Sequence, residues 1–355
     1  MKNLLLPAFS LFALFANAQT EVSPYRPGLT ENGITYFLPT TRLHVTVKAS
    51  RTTYIPGEFC KYSEHFLRLK NVPQTTYDIW EIQDIKLTAF GEADKTKAYS
   101  IKLKPKTSAP LVGMSPDGRL LSVNAEAPAI PPLTQASVTK EKTTELNATD
   151  YKTEEILSAG STTKMAELTA NEIYDIRENR SLLMKGQADF MPKDGEQLKL
   201  MIKGLDTQEA ALLQLFSGRT EKETHVFTFD YTPERDVSSD LLFRFSRFLG
   251  PVDKDDLAGE PFYINIKDLE SLPEQVDVPG KKAEKEPVDL RYVVPGRIAV
   301  SISTGSRNLA TATFSAAQFG RIETLGGELF NKKNTTHVLL YPETGGIMKI
   351  NAEQP

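Results

Sequence analysis

Arg42-Leu43-His44-Val45-Thr46-Val47-Lys48 alternates apolar Leu43, Val45 and Val47 with polar Arg42, His44, Thr46 and Lys48. That period of two is the signature of a strand with one face buried and the other polar. His44 falls on the polar face, so it reads as a solvated strand residue in preference to a ligand. Downstream, Pro56-Gly57-Glu58 opens an expected helix through Leu69, since proline in a first helical turn gives up only an N–H that would be unpaired there. Further strands are expected at 77–83, 85–90, 99–103 and 120–123, with a turn at Ser115-Pro116-Asp117-Gly118, where proline fixes φ and glycine accepts a positive one. These segments predict an N-terminal antiparallel β domain over residues 19–123.

Residues 124–160 change character. Asn124 to Pro132 is Ala/Pro-rich and is followed by a Thr/Lys/Glu-rich stretch with little to bury, which predicts a linker or surface excursion. Residues 161–218 predict a helical hairpin. Met165, Leu168, Ile173, Ile176, Leu183 and Phe190 recur at helical spacing, and Leu198, Met201, Ile202, Leu205, Leu212, Leu213 and Phe216 do so more cleanly. Pro192 to Gly195 interrupts the two, and Gly218 closes the second. Met165, Met184, Met191 and Met201 read as core packing in preference to a partner groove. From Thr224 the alternation returns, with strands expected at 225–231, 241–247, 262–267, 297–303, 310–315, 336–341 and 347–350. These predict a C-terminal β-sandwich-like domain over 219–355. Within 241–247, Leu241, Phe243 and Phe245 are expected on the buried face and Leu242 on the other. Ser271 to Pro287, with three prolines, reads as a loop. The fold class is α+β.

The first 18 residues carry a different message. Lys2, an apolar run from Leu4 to Phe15, and Ala16-Asn17-Ala18 have the three-part layout of a secretory signal peptide, with cleavage expected before Gln19. That run is shorter than the roughly 20 residues a membrane-spanning helix needs. The remaining 337 of 355 residues hold 41 basic and 46 acidic side chains, a net charge of −5 that offers no basic footprint for nucleic acid. No later apolar run is long enough to span a membrane. A single cysteine, Cys60, excludes an intramolecular disulfide framework. It reads as a small buried apolar residue. On a helix, His65 would lie about 140° round from it, so the two form no dyad.

Several ordered phrases carry a resemblance. They are Asn32-Gly33-Ile34-Thr35-Tyr36-Phe37-Leu38-Pro39, Thr53-Tyr54-Ile55-Pro56-Gly57-Glu58-Phe59-Cys60, and Ala98-Tyr99-Ser100-Ile101-Lys102-Leu103-Lys104. Ile173-Tyr174-Asp175-Ile176-Arg177-Glu178 and Asp194-Gly195-Glu196 complete the set. Together the chain, from about residue 30 to its C-terminus, resembles an uncharacterised family of exported proteins of Bacteroides-type bacteria, labelled domain of unknown function 4831. The resemblance implies a Gram-negative envelope address, in the periplasm or at the inner face of the outer membrane. It supplies no activity and no functional residues to carry over.

No phosphate loop, dinucleotide fingerprint, zinc-protease helix or nucleophile elbow is present. The histidines at 44, 65, 225 and 337 have no partner histidine at metal-ligand spacing. His225 and His337, both on C-terminal strands, read as ordinary strand positions, although they could be neighbours. Asp253-Lys254-Asp255-Asp256 departs from the calcium-loop pattern at Leu257 and Ala258 and reads as solvated loop charge. Glu154-Glu155 and Glu221/Glu223 read as solvated acids, and no carboxylate pair for a glycosidase can be chosen from sequence. Trp80, the only tryptophan, reads as core in preference to a sugar platform. The sequence therefore assigns no catalytic, cofactor-binding or metal-binding residue. It favours a non-catalytic exported binding or assembly module whose partner is another envelope protein or a glycan. The alternative is a periplasmic hydrolase acting on glycan or peptide.

Overall fold

The computed structural model describes residues 20–24, 33–103, 111–141, 146–272, 290–325 and 335–353. The expected signal peptide and all but the first two residues of the expected loop at 271–287 lie outside the described residues. In chain order the elements are β1 (Thr20–Pro24), β2 (Gly33–Ile55), a 3-10 turn (Cys60–Tyr62) and α1 (Ser63–Leu67), then β3 (Tyr77–Leu103), β4 (Val112–Met114), β5 (Leu120–Val123) and β6 (Ser137–Lys140). A second 3-10 turn (Ala148–Tyr151), α2 (Glu154–Leu157), α3 (Thr162–Lys185) and α4 (Gly195–Ser217) follow. The chain continues with β7 (Arg219–Tyr231), β8 (Val237–Ser246), β9 (Gly250–Val252), β10 (Glu260–Asp268), β11 (Leu290–Thr304), β12 (Arg307–Leu325), β13 (Thr335–Leu340) and β14 (Ile347–Glu353). The architecture is α+β, with antiparallel strand pairing throughout the named strands.

Among the described residues three sheets form, in the orders β1-β3-β2-β7-β6, β12-β11-β10-β8-β9 and β14-β13-β5-β4. Strands that precede and follow the helices in sequence share two of them, since β7 pairs with β2 along its whole length and β13 pairs with β5. The first two sheets enclose the main core: Leu43, Val45, Val47 and Ala49 of β2 pack with Trp80, with Phe243 and Phe245, with Phe262, Ile264 and Ile266, and with Ile298, Val300 and Ile302. The alternation that opened the sequence reading is thus the inner face of a sandwich. A second core joins the third sheet to the far ends of the long strands, through Tyr36, Leu38, Leu120, Val123, Leu290, Val293, Val338 and Leu340. Along β2 the buried parity changes from even at Tyr36 and Leu38 to odd at Leu43, and a register shift between Phe37 and Pro39 accommodates the switch.

Some local expectations are corrected. The three strands expected at 77–83, 85–90 and 99–103 are one strand, β3, because β2 pairs with it almost continuously. Gly91 does not break it: a Cβ there would lie 2.2 Å from the Pro342 carbonyl, so glycine is required by a close approach. The helix expected over 56–69 shrinks to the 3-10 turn and the five residues of α1. Its intended first turn is used otherwise, since Phe59 N–H donates to Leu215 O at 2.7 Å and a Cβ on Gly57 would meet that same carbonyl at 2.3 Å. Arg68, at φ 59°, then ends α1. Leu242, expected on the outer face of β8, is buried as well, because the β8–β10 register slips at that residue.

The hairpin forms as its pattern predicts and is capped by its own sequence. Ser161 and Asp194 accept from Lys164 and Gln197 N–H at the two helix starts, and Gly186, at φ 71°, ends α3. Its base forms a third core, in which Phe59 and Leu67 pack with Ala166, Ala170, Ile173, Ile176, Leu212 and Phe216.

Candidate functional site

The helical hairpin outruns its support. Its buried side chains lie mostly between Ala166 and Ile176 and between Ala211 and Phe216; toward the tip only Leu183 is buried. At about 1.5 Å per residue a helix of 24 residues extends about 36 Å, and only the basal half of that rests on α1 and the connection before it. Beyond, Arg177 and Arg180 bind Glu209 across the two helices at 2.6 Å, and Arg180 also binds Asp206 at 2.6 Å. The tip beyond this clasp carries apolar side chains into solvent: Met184 is 68%, Phe190 87% and Leu200 71% exposed, with Met191 and Met201 beside them. The methionines expected in the core divide accordingly. Met165 packs on the third core, whereas Met184, Met191 and Met201 are exposed, because among the described residues only the partner helix reaches that far.

A charged cluster sits at the end of the sandwich. Glu223 accepts from Arg51 Nη2 at 2.6 Å, from His225 Nε2 at 3.2 Å and from Lys140 Nζ at 3.3 Å. The ring of His225 lies 4.7 Å from that of Trp80, over which the Arg51 guanidinium also rests at 5.6 Å. Burial pushes the Glu223 carboxyl upward, but the hydrogen bonds from His225, Lys140 and Arg51 outweigh it and hold the acid below its ordinary range. The grouping escapes sequence reading because Arg51 and Glu223 meet only through the β2–β7 register. Glu223→Gln removes the charge that holds three cationic or aromatic neighbours together. The expected loss is about 1–2 kcal/mol, read as a lower urea midpoint at neutral pH; an unchanged midpoint would make the cluster energetically idle.

The other residues singled out by sequence do not converge. Trp80 is buried in the main core, as expected. Cys60 is half-buried in its 3-10 turn, and His65 stacks edge-on against Phe66. His225 and His337 belong to different sheets, the latter bonding through Nδ1 to the Asn124 carbonyl. Asp253 to Asp256 form an exposed turn in which Asp256 caps Ala258 N–H at 2.8 Å. Glu221 pairs with Arg219 at 3.0 Å, and Glu154 and Glu155 occupy the first turn of α2. Glu223 is buried, contrary to its expected solvation, and so is His44, whose ring bridges Asp230 and Thr134. Among the described residues no three His, Cys, Asp or Glu side chains are placed to share a metal ion.

Two broad clefts lie among the described residues, beside a smaller one of about 390 Å³ at Phe314 and Tyr341. One, of about 560 Å³, lies at the hairpin base and is lined by Glu58, Asn147, Gln214, Arg219 and Glu221. The other, of about 610 Å³, has Trp80, Phe245 and Phe262 in its lining, with Glu81, Asp84, Arg247 and Arg307 around them. Among the described residues, the carboxyls that shift (Asp94, Asp117, Glu223 and Glu323) all shift downward, each toward hydrogen-bond donors. That is the behaviour of acids locked in ionised pairs, whereas a general acid working near neutrality is raised.

A family model matches residues 32–348, which is most of the chain. The chain belongs to the family described as domain of unknown function (DUF4831). The phrases quoted from Asn32 to Glu196 all fall within that span, so the resemblance read from them holds. No curated protein and no solved structure matches the chain. The candidate site of this chain is the free end of its helical arm.

Proposed function

We propose that this protein is an exported, non-catalytic envelope component that acts as a binding or assembly module, with the tip of the helical arm docking on another envelope protein. The observation that carries this reading is the exposure of Met184, Phe190 and Leu200 beyond the arginine clasp. Apolar side chains held out on a rigid hairpin gain about 25 cal/mol for each Å² they bury against a partner. Contiguous patches of this kind mark interaction surfaces on soluble domains. Aliphatic and thioether groups with a single ring suit a protein partner better than a glycan, which is recognised by flat aromatic faces and hydrogen bonds. The N-terminal segment with its A-x-A site supports export, and no helix among the described residues is long and apolar enough to cross a membrane.

A photo-crosslinking residue placed at Lys185, beside the patch, would capture the partner in intact envelopes. Phe190→Ser with Leu200→Ser should cut the yield of that adduct about tenfold. Thermal stability should hold, because exposed substitutions away from packing move stability by about 0.5 kcal/mol or less. An adduct that survives the double substitution, or a chain recovered with no adduct at all, would overturn the reading.

A further inference from the structure

Residues 125–136 form a strap that runs from the third sheet to β6, the outermost strand of the first. At one end Asn124 is tied to the third sheet through Leu111 O and Thr336 O, and at the other Ser137–Lys140 pair with β7. The strap buries little: Ile130 is 40% and Val138 59% exposed, and all four residues of β6 face solvent. Among the described residues, one hydrogen bond reaches the segment 126–136, from the ring of His44 to the carbonyl of Thr134.

That ring is 6% exposed, and both of its nitrogens face acceptors. Nδ1 lies 2.7 Å from the Asp230 carboxylate and Nε2 lies 2.8 Å from Thr134 O. A carbonyl oxygen cannot donate, and an ionised carboxylate cannot either, whereas a neutral imidazole has only one N–H to offer. Both contacts are hydrogen bonds only when the His44–Asp230 pair holds one proton more than a neutral ring beside an ionised acid. When that proton leaves, the remaining N–H stays with the stronger acceptor, the carboxylate. The Nε2 lone pair then faces the Thr134 oxygen, and the strap's tether becomes a repulsion.

We propose that His44 is a proton-dependent latch that holds the 125–136 strap, and with it β6, against the first sheet. The latch closes when the pair is protonated and opens as pH rises, uncovering the edge of β7 at Glu223–Val226. One other histidine neighbours β6: His225 of β7 lies opposite Val138 and is bonded to the Glu223 that binds Lys140, and the Asp230→Asn variant below separates its contribution from that of His44. The strap carries no titratable side chain between Glu126 and Lys140, and β3 presents Thr88 opposite His44 and the Phe90 ring edge-on at 6.2 Å. Arg42, the neighbour on the same face of β2, is engaged by Glu92 at 2.8 Å. Lys48, Lys86 and Asp84 also share that face.

Hydrogen-exchange protection factors at Ser137–Lys140, corrected for intrinsic exchange at each pH, read the latch directly. Between about pH 5 and pH 8 the wild-type values should fall about tenfold. Asp230→Asn should stay protected at both, because an amide N–H can donate to Nδ1 and leave Nε2–H for Thr134 with the ring neutral. His44→Ala should be poorly protected at both. Protection that is equal at the two pH values in the wild type, or a fall that persists undiminished in Asp230→Asn, would overturn the latch. That second variant keeps the test decisive even if His44→Ala folds poorly.

Discussion

Phe216→Ala is expected to undock the helical hairpin while leaving the sandwich folded. Phe216 is fully buried on the last turn of α4, and its ring packs 5.4 Å from that of Phe59, which is also fully buried. Truncating such a side chain costs about 3–5 kcal/mol, counting the cavity left behind. That cavity would fall at the point where α4 meets the β2–α1 connection: Phe59 N–H donates to Leu215 O, and Ser63 Oγ donates to Phe216 O at 2.8 Å. Against a typical global stability of about 5–15 kcal/mol the loss is large, yet it is local, because the third core shares no buried residue with the main one. Two probes separate the parts. Helical ellipticity follows α3 and α4, while the fluorescence of Trp80, the only tryptophan, follows the main core. In urea the helical transition should move to clearly lower concentration and come apart from the Trp80 transition. Coincident transitions shifted by less than about 1 kcal/mol would show that the hairpin base is not held by this pair.

The same contrast shows how much of the fold was legible in the sequence. A period-two run gave the inner face of β2, and the helical spacing with its break at Pro192 to Gly195 gave the hairpin, because both signals are local. Pairing is not local. Nothing in residues 42–48 says that their neighbour on one side is β7, well over a hundred residues away, and so the clustering of Arg51, Glu223 and His225 could not be read. His44 was placed on the correct face of its strand, but burial on that face comes from a strap whose own residues look like linker. The methionines of the arm illustrate the opposite error. Helical periodicity reports which stripe a helix turns toward its partner, and it does not report where along the helix the support ends. Met165 and Met184 lie on the same helix, and only the first has a sheet-side connection to rest on.

Replacing Arg119 by leucine should loosen the third sheet from the β2–β3 pair and flatten the protein's response to acid. Arg119 is 6% exposed; its Nε donates to both oxygens of Asp117 at 2.9 Å, and its Nη1 donates to Pro342 O at 2.5 Å. The guanidinium passes over Gly91, where a Cβ would come within 2.5 Å of Nη1, so β3 is shaped to let it through. The variant strands the buried Pro342 carbonyl, worth about 1–3 kcal/mol, and removes the partner of Asp117. That acid is partly solvated, so the pair itself adds about 1 kcal/mol or less. A total of about 1–4 kcal/mol follows, seen as a lower urea midpoint at neutral pH. Burial raises the Asp117 carboxyl, but the Ser115 hydroxyl, the Arg119 guanidinium and the Ala93 N–H together hold it below the usual range. A carboxyl lower in the folded than in the unfolded chain contributes stability above its unfolded value, about 3.9, and loses it as pH falls through the folded value. The wild type should therefore lose stability between neutral pH and about pH 3, and the leucine variant, with Asp117 released toward its ordinary value, should lose less over the same interval. An acid loss identical in both proteins would mean that Asp117 is held by Ser115 and Ala93 alone. Arg119 would then serve the Pro342 carbonyl and nothing else.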